Sequence, residues 1–280
     1  MFKSNYHTHC NFCDGKGEPE DYITSAIREG LSEIGFSSHS PLPFPSGYTI
    51  ASEQFQNYVD AIKCLKEKYR QNIKILLGLE VDFLPQITDF QLSFLNSPDL
   101  DYKIGSVHYV GCHSSGKPWP VDGDDELFKR GIDEIFEGNI QKSVENYYTL
   151  VRQMAMEKQF DIIGHLDLIK KNNFEQKYFS EKELWYQETV SETLKVIAEY
   201  DWIVEVNTGG LRKPIASIYP SHWILRKCKD LKIKLMINSD AHSPEQVCSN
   251  FPEVHYLLQY IGYKEIYHLS EGKWEAVSLL

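Results

Sequence analysis

No stretch of the 280 residues reaches the roughly 18 consecutive apolar positions that a membrane span needs, so a transmembrane helix is excluded. The first residues, Met1-Phe-Lys-Ser-Asn-Tyr-His7, lack the apolar core of a targeting segment, and a cytoplasmic protein is expected. Basic residues are scarce: 29 Lys and Arg face 40 Asp and Glu, for a net charge of −11. Phosphate backbones select basic surfaces, so neither a nucleic-acid partner nor a membrane partner is expected. A small anionic ligand stays open, because bound metal ions would reverse the local potential. The six cysteines, at 10, 13, 64, 112, 228 and 248, have no regular spacing, which argues for reduced thiols rather than a disulfide framework. Cys10 and Cys13 form a CxxC, but no second CxxC completes a zinc knuckle. Walker-type, GxSxG and GxGxxG motifs are absent, so a nucleotide cradle and a serine nucleophile have no support.

Apolar residues, by contrast, are plentiful. At 42% hydrophobic and 13% aromatic the chain can bury a sizeable core. Its length suits one large α/β barrel or two small domains. No repeat or linker divides it; Pro41-Leu-Pro-Phe-Pro-Ser-Gly47 reads as a rigid loop, and one domain over residues 1–280 is expected. Apolar spacing of three and four predicts helices through Ile140, Val144, Tyr147, Val151 and Met154, and through Leu184, Val190, Leu194 and Ile197. A third runs through Tyr58, Ile62, Leu65 and Tyr69, opened by a Ser52 cap. Between the helices lie short β-type runs at residues 4–8, 33–37, 73–80, 102–108, 161–165, 202–207 and 233–239. Such alternation indicates parallel βα units, about seven of them, one short of the common eight-fold barrel. An open doubly wound sheet is the alternative, but it would gather ligands at one switch point rather than around a face.

Metal-type ligands sit at the ends of these runs. His7-Thr8-His9 ends the first, and side chains two apart in a strand share a face, so both imidazoles can reach one ion. Asp14 follows in a Gly-rich turn, where a turn-forming role competes, and His39 follows the second run. Glu80 ends Ile75-Leu-Leu-Gly-Leu-Glu80, an apolar strand in which an unpaired charge would be costly. His108 and His165 each end an apolar run after a glycine and a small step, and Asp240-Ala-His242 closes the series. Imidazole and carboxylate together suit zinc, manganese or iron. The parallel strands of a barrel open their carboxyl ends on one face, so ligands more than 200 positions apart can converge. Arg212 and Lys213, after the sixth run, are the candidate oxyanion ligands, since arginine binds phosphate oxygens bidentately; solvated loop charges are the competing account. His113 lies in the loop from Gly111 to Trp119 and is a further candidate for substrate contact.

In order and spacing these positions resemble the polymerase-and-histidinol-phosphatase (PHP) superfamily, and the Gly-Leu-Glu-Val-Asp and Asn-Ser-Asp-Ala-His-Ser-Pro runs look most like its stand-alone histidinol-phosphate phosphatases. The resemblance implies a distorted seven-stranded, TIM-like barrel with two to three divalent ions (zinc, manganese or iron). His7, His9, Glu80 and Asp240 would hold the first, with Glu80 bridging to a second completed by His108 and His165. His39 and His242 would hold a third, where Asp14 takes the place of a histidine found in many relatives. It also implies hydrolysis of a phosphate monoester, L-histidinol phosphate, by hydroxide generated at the ions, with Glu80, Asp240 and Arg212 as the catalytic set. Asp82 or Glu205 at the mouth would bind the substrate's amine, and Asp82, two residues past Glu80, also reads as a residue supporting the ligands from behind or lying in the loop. The alternatives within reach are a nucleotide phosphoesterase, a barrel amidohydrolase and a non-catalytic ligand-binding protein. The partner would be a small phosphorylated metabolite, and a homo-oligomer is compatible with the sequence.

Overall fold

The computed structural model describes residues 4–85, 89–157 and 159–279. Its strands, in chain order, are β1 (Ser4–Asn5), β2 (Glu33–Phe36), β3 (Lys74–Asp82), β4 (Tyr102–Ser106), β5 (Tyr109–Cys112), β6 (Pro118–Pro120), β7 (Ile162–Ile163), β8 (Ile203–Asn207), β9 (Lys234–Asn238), β10 (Glu265–Ser270) and β11 (Lys273–Ser278). The helices are α1 (Pro19–Arg28), α2 (Phe55–Tyr69), α3 (Asp89–Leu95), α4 (Asp125–Phe136), α5 (Ile140–Glu157), α6 (Leu184–Glu199), α7 (His222–Asp230) and α8 (Phe251–Ile261).

Seven strands form one parallel sheet in the order β1-β2-β3-β4-β7-β8-β9. Strands packed on both faces carry continuous apolar runs, and β2 is buried throughout while β3 is buried beyond Lys74. The sheet curls until its edges meet. There the ladder is replaced by side chains: Tyr6 donates its N–H to Asn238 Oδ1 at 2.8 Å, and Asn5 exchanges bonds with Ser239 at 2.9 and 3.0 Å. Main-chain contact resumes where His9 N–H meets Ala241 O at 2.8 Å and Ala241 N–H meets His7 O at 3.1 Å. The architecture is the seven-stranded barrel expected, nearly closed.

Inside the barrel Tyr6, Leu76, Tyr102, Ile104, Ile162, Ile203 and Met236 fill the end away from the ligands. The β10–β11 hairpin, unforeseen in the sequence, plugs that end: Leu269 joins the cluster and Trp274 packs edge-on against Tyr6. A second unforeseen hairpin, β5–β6, stands at the opposite end after β4. Strands β1 and β7 are shorter than predicted, so His7, His9 and His165 lie just past the regular ladder. Ser52 does not cap α2; it opens a 3-10 turn at Ser52–Gln54 with no side-chain cap bond. Leu184 is exposed, because the buried face of α6 begins at Tyr186 and runs through Val190, Leu194 and Ile197.

Tyr102 owes its place to two glycines on neighbouring strands. A Cβ on Gly78 would lie 2.5 Å from its ring, and one on Gly35 2.4 Å from its hydroxyl. The ring cannot retreat, since its hydroxyl is bonded to Tyr6 O and the interior is close-packed. Gly78→Ala is therefore expected to cost about 1–3 kcal/mol, read as a lower urea midpoint; an unchanged midpoint would show that the barrel interior yields freely.

Candidate metal centre and its cavity

The carboxyl ends of the strands bring nine predicted ligands together. Glu80 stands at their middle. Its Oε2 lies 3.1 Å from His7 Nε2, 3.4 Å from His9 Nε2 and 3.1 Å from His39 Nδ1. Its Oε1 faces His165 Nε2 at 2.8 Å and His108 Nε2 at 3.6 Å. Asp240 Oδ1 approaches His9 Nε2 at 3.3 Å and His7 Nε2 at 3.6 Å. Asp14 spans His39 and His242 at 3.8 and 3.4 Å. The donor atoms fall into four overlapping sets, each within 4.8 Å: His9-Asp14-His39-His242, His7-His9-Asp240, His7-Glu80-His165 and His39-Glu80-His108. His39 belongs to two of them, with Nε2 toward Asp14 and Nδ1 toward Glu80.

Hydrogen bonding alone does not account for this packing. His7 Nε2, His9 Nε2, His39 Nδ1 and His165 Nδ1 are buried without an aligned partner among the described residues, although carboxylate oxygens stand close to the first three. A buried polar atom left unsatisfied costs about 1–3 kcal/mol. Imidazole and carboxylate donors facing one another at these separations fit divalent cations, which would satisfy the nitrogens of His7, His9 and His39 together. Burial opposes charge on Glu80, yet His7, His39 and His108 hold its carboxyl well below the usual range. Asp240 is likewise held low against burial, chiefly by His7 and His9.

Behind the ligands stands a ring of buried groups. Glu205 is fully buried; it takes His7 Nδ1 at 2.6 Å and accepts from His165 N, Asn207 Nδ2 and Asn238 Nδ2, each at 2.9 Å. Asp82, 1% exposed, takes His108 Nδ1 at 2.5 Å. Such partners fix a ligand's tautomer and orientation. The expectation that Asp82 or Glu205 meets a substrate amine is therefore corrected: both point at histidines from behind, and their oxygens are already engaged. His113 is also corrected, since the turn of the β5–β6 hairpin buries it with Nδ1 on Glu134 at 2.6 Å. Arg212 turns inward, with Nη2 on the carbonyl oxygens of Ser239 and Asp240 at 2.6 and 2.8 Å. Asp240 has a left-handed φ of 52°, and this clamp holds the strand end in that conformation. Through Nη2 Arg212 thus supports the loop that carries Asp240, while its Nη1 is buried with no hydrogen-bond partner among the described residues; Lys213 lines the cavity.

The cluster floors a cavity of about 370 Å³. Besides the ligands its walls include Tyr48, Tyr109, Asp122, Lys171, Lys213 and Tyr219. Of these only Lys213 was singled out in the sequence. Lys171 donates to the Asp122 carbonyl and Asn172 to that of Gly123 at 3.0 Å, tying the turn after β6 to the segment after β7. Trp119 does not cover the cavity; it is buried between Phe128 and Phe136 and anchors the β5–β6 hairpin.

The profile of the PHP domain matches residues 5–209, well over half of the chain. The chain belongs to the PHP family. This PHP chain is 31% identical to the probable histidinol-phosphatase of Deinococcus radiodurans, a match covering 88% of the chain and 89% of that protein. It is 32% identical to the histidinol-phosphatase of Bacillus subtilis, over 88% of the chain and 96% of the relative. The crystal structure of the histidinol phosphate phosphatase of Lactococcus lactis, complexed with zinc, L-histidinol and phosphate, shares the fold. Its TM-score is 0.74 at 21% identity, covering 98% of each chain. Asp240 and His242 lie beyond the profile's last residue, yet the PHP barrel returns them to the cluster through its last strand.

Glu205→Gln keeps the shape of the group behind His7 but weakens its hold on the ring. It is expected to lower metal affinity by about 10–100-fold with the fold intact, read as metal content after dialysis. Full retention of metal would remove the supporting role given to Glu205.

Proposed function

We propose that this protein is a metal-dependent phosphatase that hydrolyses L-histidinol phosphate to L-histidinol and phosphate, a step of histidine biosynthesis. The observation that carries the reading is the buried cluster around Glu80, with partnerless imidazole nitrogens flooring a cavity whose walls hold charges of both signs. Its relatives named as histidinol-phosphatases match nearly their whole length.

Two to three divalent ions, zinc, manganese or iron, would be held by His7, His9, Asp14, His39, Glu80, His108, His165, Asp240 and His242. When bound, such ions supply an activated water at neutral pH and positive charge for phosphoryl and leaving-group oxygens. The chain's own residues do the rest. Glu80, with one oxygen toward each side of the cluster, holds the halves in register. Lys171 and Lys213 line the wall, and their positive charge, with Lys171 also bonded to the Asp122 carbonyl, would favour a phosphate dianion above the floor. Phosphate-monoester hydrolysis is among the slowest uncatalysed reactions, so charge fixed in place before the reaction carries most of the acceleration.

The substrate also carries a cationic amine. Asp122 is the carboxylate lining the cavity outside the metal sets, and we assign the amine to it in place of Asp82 and Glu205. Asp122→Asn is expected to raise KM about tenfold for L-histidinol phosphate while leaving p-nitrophenyl phosphate nearly unchanged. Equal effects on both substrates would sink this assignment.

The reading as a whole is tested by phosphate release from L-histidinol phosphate, p-nitrophenyl phosphate and a nucleoside monophosphate. A kcat/KM at least about a hundred-fold higher for the first is expected, equal to about 2.7 kcal/mol of differential transition-state binding. Comparable weak rates on all three would discard the named substrate. Dialysis against a chelator should abolish release, and zinc or manganese should restore it; activity that survives chelation overturns the metal dependence.

A further inference from the structure

Tyr219 stands in the cavity wall, yet the proposed reaction gives it no part. Its hydroxyl is buried and has no hydrogen-bond partner among the described residues. Other buried tyrosines behave differently. Tyr6 donates to Glu33, Tyr58 to Gly78 O, Tyr102 to Tyr6 O and Tyr147 to Leu166 O, while Tyr148 and Tyr186 pair at 3.1 Å. A phenol normally finds a partner when buried, because losing water without replacement is costly.

Everything else about Tyr219 is fixed. Its backbone pairs with Asn207 at the end of β8, N–H to O at 3.0 Å and O to N–H at 2.6 Å. The following Ser221 is held by Asp167, which accepts from its N–H at 2.9 Å and its hydroxyl at 3.1 Å. Lys170, fully buried, bonds Asp167 at 2.8 Å and Ile218 O at 2.9 Å, and its ammonium stands 5.3 Å from the Tyr219 ring centroid. On the ring's other flank Gly210 leaves the room: a Cβ there would fall 2.7 Å from the ring and 2.1 Å from Ser217 O. A buried ion pair, a main-chain bridge and a glycine therefore fix one side chain of the cavity wall whose terminal hydroxyl has no hydrogen-bond partner among the described residues. That is the pattern of a group preorganised for a ligand.

We propose that the Tyr219 hydroxyl is a catalytic residue that donates a hydrogen bond to a phosphoryl oxygen of the substrate. The inference rests on the phosphatase reading. An ordinary phenol stays protonated at neutral pH, so it gives the bond without giving up its proton, and no proton transfer is assigned to it.

Tyr219→Phe removes the hydroxyl alone. We expect kcat/KM to fall about 10–100-fold, by the same factor on L-histidinol phosphate and on p-nitrophenyl phosphate, since the phosphoryl group is common to both. Inorganic phosphate, titrated calorimetrically into metal-loaded protein, should bind at least several-fold more weakly. Metal content should be unchanged, and the melting temperature should hold or rise, because an unsatisfied buried hydroxyl is removed. Unchanged kinetics with unchanged phosphate affinity would overturn the proposal. So would a loss confined to L-histidinol phosphate, a loss of metal, or a fall of several degrees in melting temperature, which would place the hydroxyl on the leaving group, on an ion or in the fold. Failure of the phosphatase reading would be seen separately, as wild-type protein that releases phosphate from none of these esters.

Discussion

Glu80 is a carboxylate at the end of a strand that is otherwise apolar, and it is almost wholly removed from water. A charge placed there is tolerable only if it is surrounded by compensating charge. The chain supplies five imidazoles around its two oxygens, three on one side and two on the other. Several of those rings keep a buried nitrogen with no aligned partner. Cations resolve both problems together, so the barrel mouth is built to be completed by metal.

The support for this centre extends outward in layers. Glu205 and Asp82 hold two of the rings from behind, and Arg212 clamps the main chain that carries Asp240. Farther out, the Asp167–Lys170 pair fixes the segment bearing Tyr219. Buried charge of this kind seldom adds stability over apolar packing. Its value here is placement, because a catalytic geometry must hold to within a fraction of an ångström. At the opposite end the polar groups are fewer and tie the plug to the barrel: Tyr6 donates to Glu33 and accepts from Leu269 N–H. Tyr102, seated against Gly35 and Gly78, and the plug formed by the C-terminal hairpin make it a closely packed base.

The two hairpins show why the expected architecture was correct and incomplete. The apolar runs of the parallel strands stand out because those strands are buried on both faces. The β10–β11 hairpin has no regular alternation of buried and exposed residues, and β5–β6 is interrupted by glycine and proline; neither gives a strong periodic signal.

By itself the sequence determined the seven parallel strands and the metal-type side chains at their ends. Each of those is local: an apolar run, its last residue, and the rule that parallel strands open toward one face. The carboxylates Asp82 and Glu205 were visible too, and a supporting place was one of two readings for Asp82, but side chains two apart share a face and a residue near the ligands can lie in front of an imidazole or behind it. Only the folded barrel decided that they stand behind. Only the folded barrel brought Asp122, Lys171 and Tyr219 to the cavity wall, since all three lie in irregular segments between strands and helices, where no period fixes direction. The ligands could be read because strand geometry repeats; the substrate-facing wall could not, because its form is set by contacts between distant loops.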